Sequence, residues 1–307
     1  MNIVFMGTPD FAVESLKKIY ENGHNIKAVI SQPDRKSGRG MNVVQTPVKE
    51  YALSKNLPVY QPEKIRKDEE LIEKIKQMKP DVIVVVAFGQ ILPQSILEIP
   101  KYGCVNVHGS LLPKYRGAAP IQWSIINGDT VTGITTMYMD AGMDTGDMIE
   151  KFEVPIDDND TYGTLYEKMK IAGGNAIIHT LEKIADPIKL KREKQPDGFT
   201  MAPMIEKEMG EIDWNKTSKE IRNLIRGLNP MPGAYTMITG ERMKIWTAEF
   251  TTFNDEICKP GEIVKADSKS GLLIKTGDGI LEITELQMPN LKRMSARDYL
   301  RGHKINF

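Results

Sequence analysis

The chain has 307 residues, with 41 basic against 41 acidic side chains and a net charge of zero, so no global field announces a polyanionic partner. Its apolar fraction of 40% and charged fraction of 27% are those of an ordinary globular protein, long enough for two domains. With 2 cysteines and 4 histidines, none in a metal-ligand spacing, a disulfide framework or a zinc site is not expected. The N-terminus lacks the basic and long apolar regions of a signal peptide, and no apolar run reaches membrane-spanning length. A cytoplasmic protein is the expectation.

Residues 3–6 read as a short buried strand, followed by Thr8, Pro9 and Asp10 as the cap, first position and dipole partner of a helix. Residues 26–30 form the next strand, which makes a β-α-β unit and implies parallel pairing. Gly7 stands without the further glycines of a dinucleotide-binding turn, so a nicotinamide cofactor is not indicated. The stretch 32–40 carries Arg35, Lys36 and Arg39 among glycines and a proline, and reads as a positive loop, either merely solvated or ordered by phosphate. Helical patterns follow at 47–56 and 68–78. Residues 82–87 are uniformly apolar, as in a central strand buried on both faces, and Phe88 and Gly89 turn outward at its carboxyl end.

Strand 104–108 ends in Asn106 and His108, two residues apart and therefore on one face. Open α/β sheets bind ligands at the carboxyl ends of their strands, so an amide and an imidazole presented together there mark a candidate active site. A helix over 118–126 and strands over 131–139 and 148–154 follow. The loop between those strands holds Asp140, Asp144 and Asp147, each a candidate to orient His108. Their spacing does not match an EF-hand. Asp160 opens a long helix. Residues 189–207, polar and closed by Pro196 and Gly198, read as a linker, with Lys189, Lys191 and Arg192 as a second basic patch. Beyond it, a helix at 218–228 precedes strand patterns at 234–238, 242–250, 261–266, 271–276 and 280–286, which suggest a small β-barrel.

The expected architecture is thus α/β: a doubly wound, Rossmann-like, mostly parallel sheet over 1–188, a linker over 189–207, and a smaller OB-like β-barrel over 208–307.

The run 106–117, Asn-Val-His-Gly-Ser-Leu-Leu-Pro-Lys-Tyr-Arg-Gly, together with Asp144 in Met-Asp-Ala-Gly-Met-Asp-Thr-Gly-Asp, resembles the folate-dependent formyltransferases. The opening Phe-Met-Gly-Thr-Pro-Asp-Phe and the basic loop extend the resemblance over essentially the whole chain. It implies formyl transfer from 10-formyltetrahydrofolate, with no metal. Asn106, His108 and Asp144 would be the catalytic set. Ser110, Leu111, Leu112, Pro113, Phe88 and Gly89 would line the folate pocket, although Leu111 and Leu112 suit a core equally. The implied acceptor is the amine of methionine on initiator tRNA, bound through Arg35, Lys36, Arg39, Lys189, Lys191 and Arg192 by a monomer. An amino sugar nucleotide is the alternative acceptor.

Overall fold

A computed structural model describes residues 1–37, 42–186, 192–238 and 240–305, with the backbone alone for 36, 37 and 42. The first half alternates strands and helices: β1 (Asn2–Gly7), α1 (Asp10–Glu21), β2 (Asn25–Ile30), β3 (Arg35–Ser37), β4 (Asn42–Val44), α2 (Pro47–Ser54), β5 (Val59–Tyr60), α3 (Glu69–Met78), β6 (Val82–Val86), α4 (Gln94–Leu97) and β7 (Cys104–His108). Then come α5 (Pro120–Ile126), β8 (Val131–Tyr138), β9 (Met148–Pro155) and α6 (Tyr162–Ala185). The remainder is α7 (Ser218–Gly227), β10 (Ala234–Ile238), β11 (Glu241–Phe250), β12 (Ile263–Asp267), β13 (Gly271–Lys275), β14 (Ile280–Gln287), β15 (Met294–Ser295) and α8 (Ala296–Gly302). Among the described residues no helix is long and apolar enough to cross a membrane.

The large sheet has the order β5-β2-β1-β6-β7-β8-β9. Strands β5, β2, β1, β6 and β7 pair in parallel, and β8 runs antiparallel to β7. Every residue of β6 is buried, which is why its sequence shows no alternation. Val4, Met6, Ala28, Ile30, Ile83 and Val85 from neighbouring strands join the α3 residues Leu71, Ile72 and Ile75 in one core on one side of the sheet. The chain moves outward from β1 to β2 and β5, then returns to the other side of β1 with β6 and β7. This reversal between β1 and β6 is a topological switch point, where open α/β sheets bind ligands at the carboxyl ends of their strands.

Two details differ from expectation. Thr8 does not cap α1: Pro9 occupies the cap position, and the Thr8 hydroxyl donates to the Phe88 carbonyl at 3.0 Å instead. A backbone carbonyl at the end of β6 has taken that side chain from its local role. Arg35 and Lys36 lie in a strand rather than a loop, because the β-branched Val43 and Val44 pair with them across a short antiparallel ladder.

The chain forms two compact units. One comprises Met1–Gly117, Thr132–Pro155 and Tyr166–Ala202; the other comprises Ala118–Val131, Ile156–Leu165 and Pro203–Phe307. In the second unit an antiparallel sheet runs β10-β11-β14-β13-β12, with β15 beside β14. It stands where the small β-barrel is expected, and its strands fall close to the expected stretches. A capping box at Thr217 and Glu220 starts α7, whose Ile221 and Ile225 pack with Ile245, Leu281 and Ile283 from the sheet. Helix α5 packs in the same unit: a Cβ on Gly227 of α7 would lie 2.5 Å from the Ile126 side chain, so glycine there lets the two helices approach closely.

Candidate active site

Strand β7 carries the site. Its register places Asn106 opposite Met137 and His108 opposite Thr135 of β8. The turn after His108 is sewn to β8 by one hydroxyl: Thr135 Oγ1 donates to the Ser110 carbonyl at 2.6 Å and accepts from the Leu112 N–H at 3.0 Å. Ser110 is fully buried, and its own hydroxyl donates to the Lys114 carbonyl at 2.6 Å. The turn behind His108 is therefore rigid before any ligand arrives.

His108 is itself 6% exposed. Its Nε2 lies 2.9 Å from the Tyr115 carbonyl oxygen. A carbonyl oxygen only accepts, so Nε2 carries a proton and donates it. In the neutral ring the lone pair then sits on Nδ1. That atom faces Asp144, whose Oδ2 is 3.7 Å away. The tautomer is thus set by a backbone carbonyl, not by the carboxylate to which the resemblance assigns that role. Asp144 faces the basic nitrogen, where it favours any positive charge the ring acquires.

Of the three candidate acids, Asp144 is the one brought to His108. Its Oδ2 accepts from the Gly117 N–H at 2.9 Å, and Oδ1 is 3.5 Å from Asn106 Nδ2. Asp140 turns back on its own loop, accepting from the Gly142 N–H at 3.0 Å and the Thr145 hydroxyl at 2.7 Å. Asp144 holds a left-handed backbone, φ +53°. Such a conformation persists in a non-glycine residue when its surroundings hold it. Part of that hold is close packing at Gly146, where a Cβ would come within 1.8 Å of the Tyr138 carbonyl oxygen.

The rest comes from Gln195, to which no motif or spacing points. Its Nε2 donates to the backbone carbonyls of Asp144 at 2.7 Å and Gly146 at 3.0 Å. Its Oε1 accepts from Arg116 Nε at 3.0 Å and from a terminal guanidinium nitrogen at 2.7 Å. Arg116 also stacks 4.6 Å from the Phe199 ring centroid. The stretch expected to be a bare linker therefore supplies structure to the site. A lone glutamine in a polar segment carries no periodicity or motif by which it could have been found.

The remaining expected residues are placed as follows. Leu112 is fully buried against Met137 and Met148, while Leu111 and Pro113 are half-buried. Phe88 is 2% exposed and packs in the core beneath the sheet end, so its ring turns inward rather than outward. The Phe88 and Gly89 carbonyls both accept from Gln32 Nε2, at 3.3 and 3.0 Å, and Gly89 itself is exposed. Arg35 is exposed, 3.9 Å from Glu63. Arg192 is exposed and lies 3.9 Å above the Tyr138 ring. Arg39, Lys189 and Lys191 fall outside the described residues, as does the side chain of Lys36. Among the described residues no group of three or more His, Cys, Asp or Glu is arranged to hold a metal ion.

An amide donor and a buried imidazole beside a carboxylate at a strand end suit acyl transfer to a nucleophile that is already neutral. Comparison with known proteins agrees with that class. The formyl transferase model matches residues 1–181, and the formyl transferase C-terminal domain model matches 204–304. The chain belongs to the formyl transferase family. Methionyl-tRNA formyltransferase of Caldanaerobacter subterraneus subsp. tengcongensis is 51% identical over 307 residues, covering 99% of this chain and 98% of that protein. The enzyme of the same name from Clostridioides difficile is 50% identical over 305 residues, covering 99% and 98%. Among solved structures, WlaRD, a sugar 3N-formyl transferase crystallised in the presence of dTDP and 5-N-formyl-THF, is 25% identical with a TM-score of 0.66, covering 95% of this chain and 99% of that one.

Proposed function

We propose that this chain transfers the formyl group of 10-formyltetrahydrofolate to the α-amine of methionine esterified to initiator tRNA, giving N-formylmethionyl-tRNA for translation initiation. The observation that carries the reading is the identity of about one residue in two, end to end, with enzymes of that name. The meeting of Asn106, His108 and Asp144 at the end of β7 supports it.

An α-amine has a pKa of about 7.7–8.0, so a useful fraction is neutral near pH 7 and needs no strong base. Its nitrogen attacks the formyl carbon, and the carbonyl oxygen becomes an oxyanion. The Asn106 amide donates to that oxygen. His108 Nδ1 accepts the proton the amine nitrogen must shed, and Asp144 stabilises the resulting imidazolium. The bond to N10 then breaks, and the proton returns from the ring to N10. Tetrahydrofolate leaves. The Tyr115 carbonyl keeps Nε2 out of this traffic throughout.

On this reading Leu111, Pro113 and the Gly89 backbone meet the pterin side of the donor, while Ser110, Leu112 and Phe88 build the floor beneath it. Residues 1–188 carry the transfer, 208–307 hold tRNA, and 189–207 join them. Arg35, Lys36, Arg39, Lys189, Lys191 and Arg192 contact tRNA phosphates, and the enzyme works as a cytoplasmic monomer.

The likeness to WlaRD favours a second reading, in which the acceptor is an amino sugar nucleotide. Incubation with 10-formyltetrahydrofolate and either charged initiator tRNA or an amino sugar nucleotide separates the two. Formyl-methionyl-tRNA is the expected product. Formylation of the sugar alone, or no product from folded protein, overturns the proposal.

A further inference from the structure

We propose that Thr200 is a positioning residue for His108, and that it acts through Tyr115. The inference rests on the functional reading above. The Tyr115 carbonyl is the acceptor that fixes the His108 ring, at 2.9 Å from Nε2. Yet Tyr115 is held in a left-handed conformation, φ +63°. A tyrosine does not stay there by preference, so something must hold its peptide.

What holds it is a strap formed by residues 200–202. The Thr200 hydroxyl accepts from the Tyr115 N–H at 2.8 Å. The Thr200 carbonyl accepts from the Arg116 N–H at 2.8 Å, and the Ala202 N–H donates to the Arg116 carbonyl at 2.7 Å. The Thr200 N–H reaches the Pro113 carbonyl at 3.3 Å. Gly117 is shaped for the same contact: at φ +119° a Cβ would stand 2.8 Å from the Ala202 carbonyl oxygen. The strap is far from Tyr115 in sequence, so no local propensity maintains the arrangement.

The Thr200 hydroxyl is the strap's single side-chain bond to Tyr115 among those described. Removing it leaves the backbone bonds in place, including the Arg116 N–H bond on the peptide that carries the Tyr115 carbonyl, but takes away the acceptor of the Tyr115 N–H, so the left-handed φ between the two peptides loses part of its hold. The carbonyl then shifts relative to Nε2. The neutral ring is free to take its other tautomer, with the proton on Nδ1 and no lone pair where the amine proton must go. Binding of either substrate does not pass through this contact, so the loss falls on turnover.

The full chain, labelled with 15N-histidine, provides the test. Its 4 histidines make the ring-nitrogen spectrum tractable, and His108→Gln assigns the signal. Wild-type protein should show the Nε2–H tautomer at His108. Thr200→Val should show a substantial Nδ1–H population and a kcat lowered about ten- to hundredfold, with KM for both substrates within about twofold. Thr200→Ser should restore both. Thr200→Ala, which leaves the strap's backbone bonds, answers the same question if the valine variant does not fold. An unchanged tautomer in the valine or alanine variant, or a rise in KM with kcat intact, overturns the inference. The tautomer is read without turnover, so wild-type protein that fails to formylate charged tRNA refutes the functional reading alone and leaves this result standing.

Discussion

Asp144→Asn isolates the charge that faces His108. The change is nearly isosteric. The introduced amide oxygen can keep the 2.9 Å bond from the Gly117 N–H, and Asn106 can turn its own oxygen toward the new amide nitrogen at 3.5 Å. What disappears is a negative charge 3.7 Å from Nδ1. Two opposite charges at that distance attract by about 4 kcal/mol at an effective dielectric of about 20. The Asp144 side chain is 17% exposed, so water screens part of this. About half, roughly 2 kcal/mol, should survive, and it matters only when the ring is charged. On the proposed mechanism the ring is charged in the transition state, so the term is catalytic rather than binding. A barrier higher by about 2 kcal/mol slows turnover roughly 30-fold. Rapid-quench single turnover with both substrates saturating measures it directly, with circular dichroism to establish an intact fold. A loss below about threefold, or a loss confined to KM, refutes the assignment of Asp144 to the imidazolium.

His108→Ala should lower kcat by about 10²- to 10⁴-fold while tRNA affinity stays near wild type; filter binding and turnover measured side by side check it, and a large fall in affinity would make the ring structural. Arg39→Ala should weaken tRNA binding and reduce the slope of log affinity against log salt by about 1, whereas a change in folate affinity alone would remove the basic loop from the tRNA interface. Cys104 is 2% exposed, and burial pushes its thiol up to about 12. Its thiolate fraction at pH 8 is therefore on the order of 10⁻⁴. Native protein should react rapidly with a disulfide reagent at Cys258 at most, with a second thiol appearing on denaturation; two fast thiols in the native state would contradict this packing.

The legible parts of the chain are those whose cause is local. Strands β10 to β14 show because short strand-like runs and the turn residues between them are properties of neighbouring residues, and β6 shows because burial on both faces leaves a uniform apolar run. Asn106 and His108 show because a strand has a period of two. Spacing alone does not choose Asp144 over Asp140, since that depends on which carboxylate a folded loop turns toward the ring; the family resemblance is what singles out Asp144. Thr8 misled because its hydroxyl answers to Phe88, eighty residues away, rather than to the helix beside it. Gln195 and Thr200 were invisible for the same reason. Their roles consist of hydrogen bonds to groups distant in sequence, and such bonds leave no pattern in a polar, proline- and glycine-punctuated segment.

The site's geometry also explains why its motif identifies the reaction better than the acceptor. On the proposed reading Asn106, His108 and Asp144 act on an oxyanion and on a proton. An amine on a sugar and an amine on an aminoacyl ester present the same lone pair to the same formyl carbon. Selectivity between them must therefore be exerted on atoms remote from the transferred group, by residues that lie outside the 106–117 run. On the proposed reading those are the basic positions near Arg39 and Arg192 and the β-rich second unit. Substitutions there should change which acceptor is formylated while leaving the rate of transfer from bound donor intact. Substitutions at the strand end should slow transfer to every acceptor alike. The two groups of variants are thus separable by one comparison, tRNA against amino sugar nucleotide, at fixed donor concentration.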